Sequence, residues 1–285
     1  MSARRTWHLA REAFRRRWLR GGFVVLSLAL PGCAANLPPS TRPFDGALSF
    51  DARPLTVHFA NEGAAAGRPL LIYMTGDAGW VRKDLAVYRE IVSWGYPVAG
   101  ISAPEYLKHL HGKEATTPER VADDCLRIIA FAQARMHLEP GAPVVLVGVS
   151  RGAGLMVVAA GQPVVSGRLG GVVAVALTKE EESVRWLGHL PAIRRPAIPV
   201  IVELYEYLPL LGALPVAVVQ STRDSYLPAD AAARLFGPDT ESRRFRAIEA
   251  RNHTFGGARR EMYDELKASL EWIETLIRPN DKDTR

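Results

Sequence analysis

The stretch Pro143-Val144-Val145-Leu146-Val147-Gly148-Val149-Ser150-Arg151-Gly152-Ala153-Gly154-Leu155-Met156-Val157-Val158 decides how the chain is read. A short β-branched apolar run of buried-strand type ends in a G-x-S-x-G pattern, and small and apolar residues suited to a helix follow at once. Strand, tight turn and helix in that order put a serine at the tip of a strained turn. Glycines on both sides keep Cβ atoms out of a crowded space, so the hydroxyl of Ser150 stands above the sheet beside a helix N-terminus.

Outward from this stretch, apolar runs and turn signals alternate with helical patterns. Leu70 to Thr75 reads as a buried strand ending in the turn Gly76-Asp77-Ala78-Gly79-Trp80, with a helix over 82–94 behind it. Tyr96 to Ile101 reads as a short strand, and Thr117-Pro118 as an N-cap with proline at the first helical position, opening a helix to about His137. Val172 to Leu177, Pro215 to Gln220 and Arg244 to Glu249 read as strands, 228–236 and 258–277 as helices, and Leu55 to Ala60 as a first, edge strand. Such alternation predicts an α/β chain with a mostly parallel sheet and helices on both faces. Ligands of such sheets bind at the C-terminal ends of the strands. The loops after Thr75, Ile101, Val149, Leu177, Gln220 and Glu249 are therefore expected along one edge.

Two of those loops carry what Ser150 lacks. Asp224 follows one strand and His253 follows the last, and the chain order Ser150, Asp224, His253 is the one expected of an α/β-hydrolase fold. A serine hydroxyl becomes a nucleophile only when an imidazole takes its proton and a carboxylate holds that imidazole in the right tautomer. Taken singly, Asp224 is an ordinary turn residue and His253 an ordinary loop histidine; their joint placement on strand-end loops points to a catalytic set. An oxyanion then needs donors, expected from the backbone N–H of Arg151 and of Asp77. Trp80 either walls the pocket or packs under the following helix. His109 and His111 have no acid-rich ligand set around them, so neither a metal nor a cofactor is expected. Cys125, inside a helical pattern, reads as a small buried hydrophobe.

The charge is local. The first 32 residues hold seven arginines and one acid, Glu12, which accounts for the whole formal charge of +6 and leaves the rest neutral. Nucleic-acid binding is thereby excluded. This leader has the arginine-rich and short apolar parts of an export signal, too short to span a bilayer as a stable helix. Its end, Leu30-Pro31-Gly32-Cys33, resembles a bacterial lipobox and predicts lipidation of Cys33. The expected organisation is a signal peptide over 1–32, a proline-rich tether over 33–53, an α/β-hydrolase domain over 54–277 and a polar tail over 278–285. The expected location is the periplasm, on a lipid anchor. With Cys33 acylated, Cys125 stands alone and no disulfide is expected.

Several of these segments together resemble the bacterial virulence-associated VirJ/AcvB family of periplasmic α/β-hydrolases. The resemblance runs through residues 73–80, through Gly95 to Ser102 with Tyr106, through Thr117-Pro118-Glu119, the elbow and the His253 loop, and covers roughly 68–277. Arg151 stands where the family has an aromatic, and Gly154 where it has an aspartate. The resemblance implies hydrolysis of the ester joining an amino acid, typically lysine, to phosphatidylglycerol, with Trp80 and Tyr106 at the substrate. A lysyl ester calls for an acidic receptor, for which the segment after Leu177 offers Glu180, Glu181, Glu182, Glu203 and Glu206. Trp186 and Pro209 to Leu214 offer an apolar lid over acyl chains, or core. A periplasmic carboxylesterase or thioesterase of another substrate remains as an alternative, as does a non-catalytic assembly factor of an envelope secretion system.

Overall fold

The computed structural model describes residues 43–50, 54–63, 67–109, 117–183 and 200–278. In chain order they form β1 (Phe44–Ser49), β2 (Pro54–Ala60), β3 (Leu70–Met74), α1 (Arg82–Ser93), β4 (Val98–Ile101), α2 (Ala103–His109), α3 (Pro118–Arg135), β5 (Val144–Val149), α4 (Arg151–Ala160), α5 (Pro163–Ser166) and β6 (Leu169–Val175). There follow β7 (Glu180–Ser183), β8 (Val200–Glu203), β9 (Val216–Ser221), α6 (Ala229–Phe236), β10 (Arg243–Ile248) and α7 (Arg259–Ile277). The leader, Cys33, His111, Trp186 and residues 279–285 lie outside the described residues, as does most of the expected tether.

The main sheet has the order β1-β2-β4-β3-β5-β6-β9-β10. β1 and β2 run antiparallel to their neighbours, and the strands from β4 to β10 are parallel. The chain therefore winds outward in both directions from β3, and the loops after β3 and β5 part at that point, which is where such sheets leave a crevice. Both faces of the central strands are covered. Leu70, Ile72, Met74, Val144 and Leu146 pack with α3, α4 and α6 on one side. Leu71, Tyr73, Val145 and Val147 pack with α1 and α7 on the other. This period-2 partition is why the strands read as continuous apolar runs.

The elbow shows why its glycines are required. A Cβ on Gly148 would lie 2.4 Å from the backbone of Gly152 and Ala153, and a Cβ on Gly152 would lie 2.4 Å from the carbonyl oxygen of Met74. The helix thus starts against the ends of both β3 and β5, closer than any side chain permits. Gly152→Ala is expected to destabilise the fold by about 3 kcal/mol, because backbone atoms must move apart. A denaturant midpoint equal to wild type would contradict that close approach.

Three readings of the sequence change here. Residues 44–49, placed in the tether, form β1 beside β2, with Phe44 stacked on Phe59 at 4.9 Å. β2 is therefore an interior strand, not the edge. α2 has no signal in the sequence, since seven residues are too few for a helical period to declare itself. The N-cap at Thr117 is present as expected: its side chain accepts from Arg120 N–H, with Pro118 at the first helical position.

Candidate active site

Ser150 caps β5 with φ 53° and ψ −118°, a left-handed conformation that a serine adopts only when its surroundings hold it there. Its N–H donates to Val175 O at 2.8 Å, and its carbonyl accepts the first helical bond from Gly154 at 3.1 Å. These two bonds tie the strained residue to β6 on one side and α4 on the other. The side chain then meets His253.

His253 Nε2 lies 2.8 Å from Ser150 Oγ, and its Nδ1 lies 2.7 Å from Asp224 Oδ2. The three residues come from loops after β5, β9 and β10, as the sequence predicts. The Asp224 carboxylate is wholly buried while the imidazole is 13 % exposed, so the hydrogen-bonded chain runs from the interior out to the serine. Every donor round Asp224 is fixed. Gln220 Nε2 donates to Oδ2 at 3.0 Å, and Tyr226 N–H donates to Oδ1 at 2.8 Å. The His253 loop is fixed by Asn252, whose Oδ1 accepts from Thr254 N–H and Gly256 N–H at 3.1 and 3.0 Å.

A half-open pocket with about 490 Å³ of empty space, its mouth included, lies beside Ser150 and His253. Val87, Val149, Val175, Phe255 and Met262 make much of its wall, and Asp77, Asp84, Lys83 and Arg259 supply charge. Asp77 and Ser150 thus share one pocket. Arg151, as the first residue of α4, puts its N–H at a helix N-terminus next to the serine, where backbone donors have no intrahelical acceptor and the helix dipole favours negative charge.

The two substrate-contact expectations are corrected. The Trp80 ring packs on His58, Tyr73 and Tyr88 at 5.0, 6.0 and 5.3 Å, on the face covered by α1, and does not line this pocket. Tyr106 is 1 % exposed, and its hydroxyl donates to Asp124 Oδ2 at 3.3 Å, in the opposite face of the sheet. Both are aromatic residues next to active-edge loops, and burial, not substrate, explains their positions. Of the acids after Leu177, the side chains of Glu181 and Glu182 lie outside the described residues. Glu180 and Glu203 both pair with Lys179, at 3.0 and 3.6 Å, and neither lines the pocket. Leu208 and Leu211 are core residues, and Tyr207 sits at Gly161, the C-terminal end of α4 remote from Ser150. Within 209–214 only Leu211 is buried, Leu210 is exposed, and no residue of the segment lines the pocket, so it is not a lid over Ser150. Cys125 is buried, and burial pushes its thiol up to about 12, which suits an inert hydrophobe.

Three further residues support the site. Tyr226 lays its ring edge-to-face on His253 at 4.7 Å, and Gln220 holds Asp224; neither carries a local signal. Asp84 does carry one, as the acid in the stripe Asp84, Val87, Tyr88, Ile91 that α1 buries. Its Oδ1 accepts the Gly76 N–H at 2.8 Å, fixing the turn closed by Gly79 N–H on Gly76 O. Burial raises its pKa, opposed by that bond and by Lys83. A raised folded-state value means the native protein holds this proton to higher pH than the unfolded chain, so Asp84 costs stability as pH rises from the ordinary aspartate range through the raised value. Asp84→Asn keeps an acceptor for Gly76 and is expected to raise the melting temperature at neutral pH but not at pH 3. A gain independent of pH would contradict the burial penalty.

The family model described as "Bacterial virulence protein (VirJ)" matches residues 69–183, which run from β3 through the elbow to β7. No curated protein matches the chain. Among solved structures, TT1662 from Thermus thermophilus aligns over 82% of this chain and 99% of its own, with TM-score 0.54 and 18% identity. Est1E from Butyrivibrio proteoclasticus aligns over 81% and 99%, with TM-score 0.54 and 13% identity. The Pyrococcus furiosus esterase Pf2001 aligns over 83% and 93%, with TM-score 0.57 and 12% identity. These likenesses show the α/β-hydrolase fold.

Proposed function

We propose that this chain, VirJ-like over residues 69–183, is a serine hydrolase of the periplasm that cleaves the aminoacyl ester, typically lysyl, of an aminoacylated phosphatidylglycerol. One observation carries the reading: a single imidazole hydrogen-bonded to Ser150 Oγ at 2.8 Å and to a buried carboxylate at 2.7 Å. One of the structural relatives, Pf2001, is an esterase. The pocket supports the substrate class, since Lys83 and Arg259 suit a phosphodiester and the apolar wall suits the glycerol and upper acyl chains. An export signal over 1–32 and a lipid on Cys33 would hold the enzyme beside that lipid and raise its effective concentration there. Among the described residues no helix is long and apolar enough to cross a membrane.

In this mechanism Ser150 Oγ attacks the ester carbonyl while His253 Nε2 takes its proton. Asp224 holds the Nδ1 proton and stabilises the imidazolium. The oxyanion forms against the N–H groups of Arg151 and Asp77, and His253 returns the proton to the departing glycerol oxygen. Water, activated by the same imidazole, then releases the amino acid from Ser150. His253→Ala is expected to lower kcat/KM by about a hundredfold or more, and an unchanged kcat/KM would count against His253 as the base.

The test is incubation of the leaderless protein with lysyl-phosphatidylglycerol in detergent, with free lysine measured. Release that disappears in Ser150→Ala supports the reading. Turnover of simple esters without lysine release points to another carboxylic ester. No turnover of any ester points to a binding role in the envelope.

A further inference from the structure

Asp84 is 1 % exposed and lines the pocket that holds Ser150 and His253. Its Oδ1 is occupied by the Gly76 N–H, whereas Oδ2 is sealed from solvent and meets no hydrogen-bond partner among the described residues. A buried carboxylate oxygen without a donor is costly, and in native proteins such groups are paired or bind something. Lys83 lines the same pocket yet gives Oδ2 no hydrogen bond. Asp77 adds a second acid on the same wall.

The position relative to the reacting serine is fixed by Gly76. A Cβ built on Gly76 would stand 3.4 Å from Asp84 Oδ1 and 3.6 Å from Ser150 Cβ, so one glycine separates the carboxylate from the nucleophile. The acyl group of any ester attacked by Ser150 begins at that serine. A substituent one or two bonds from the scissile carbonyl is therefore the part of the substrate nearest Asp84, and its complement is a hydrogen-bond-donating cation. We propose that Asp84, with Asp77 beside it, is the receptor for a primary ammonium on the acyl side of the ester, so that the pocket selects aminoacyl over neutral acyl esters. The proposal rests on the assignment of Ser150 as nucleophile made above. It also replaces Glu180 and Glu203 as the cation site, since Lys179 already pairs with both.

The experiment reads a ratio, which cancels any effect of the substitution on folding or on the Gly76 turn. kcat/KM is measured for lysyl-phosphatidylglycerol and for its α,ε-di-N-acetyl form, in the wild type and in Asp84→Asn. The free-amine ester is expected to be favoured by about tenfold or more in the wild type, as for a charge-assisted hydrogen bond, and the preference is expected to fall at least about fivefold in Asp84→Asn. Asp84→Ser, which removes the carboxylate and also shortens the side chain, is expected to lose it as well. Equal rates on the two esters in the wild type, or a preference that both variants keep, overturn the ammonium site. p-Nitrophenyl butyrate separates this from the earlier reading: its turnover without amine preference sinks the ammonium site alone. No turnover of it and no fluorophosphonate adduct on Ser150 sink the hydrolase assignment and this inference together.

Discussion

Ser150→Ala is expected to lower kcat for ester hydrolysis by about 10⁴-fold to 10⁶-fold, the range seen when a serine nucleophile is removed from an intact relay. Nothing else in the site needs to change. The backbone bonds from Ser150 N–H to Val175 O and from Gly154 N–H to Ser150 O do not use the hydroxyl. Thermal stability of Ser150→Ala should therefore equal that of wild type or exceed it, and the pocket should still bind substrate. Comparing single-turnover rates and melting curves of the two proteins checks both halves. Residual activity above one hundredth of wild type would mean that another group delivers the nucleophile.

Asp224→Asn is expected to cost about 10⁴-fold in kcat, because an amide cannot hold the imidazole in the tautomer that presents a lone pair to Ser150. The surroundings make the loss hard to relieve. Gln220 Nε2 and His253 Nδ1 both meet Oδ2, and Tyr226 N–H meets Oδ1, so all of these neighbours act as donors to a charged acceptor. Whichever way the asparagine turns, its NH₂ faces a donor and a buried bond is lost, which adds about 1–3 kcal/mol of destabilisation. KM is expected to change little. The check is a kcat and KM determination with melting curves, and a kcat within tenfold of wild type would show that Asp224 does not orient the base.

The hydrogen-bonded arrangement of Ser150, His253 and Asp224 was legible because its signals are local and chemical. Gly148 and Gly152 flank Ser150 since no Cβ fits there, and that requirement is written in two residues. Asp224 follows the buried apolar strand β9 and His253 follows β10, an arginine-rich, half-buried strand parallel to it, so the topology brings both loops to Ser150. Other features depend on partners that no short stretch reveals. β1 has the weak sequence Phe-Asp-Gly-Ala-Leu-Ser and becomes a strand only through β2, with Phe44 on Phe59. Trp80 and Tyr106 adjoin the right loops, but which way a ring turns is settled by packing with Tyr88 or Phe50. Asp84 illustrates the reverse case. An acid in a buried helical stripe is a visible anomaly, and the reason for it is a contact with Gly76 that lies outside the helix.

The central claim, that His253 activates Ser150 as a nucleophile, is tested most directly by fluorophosphonate labelling with peptide mapping by mass spectrometry. The expected result is a single adduct on Ser150, absent in Ser150→Ala and slowed by about a hundredfold or more in His253→Ala, the scale of a lost general base. An unlabelled Ser150, or labelling at an equal rate without His253, would contradict it.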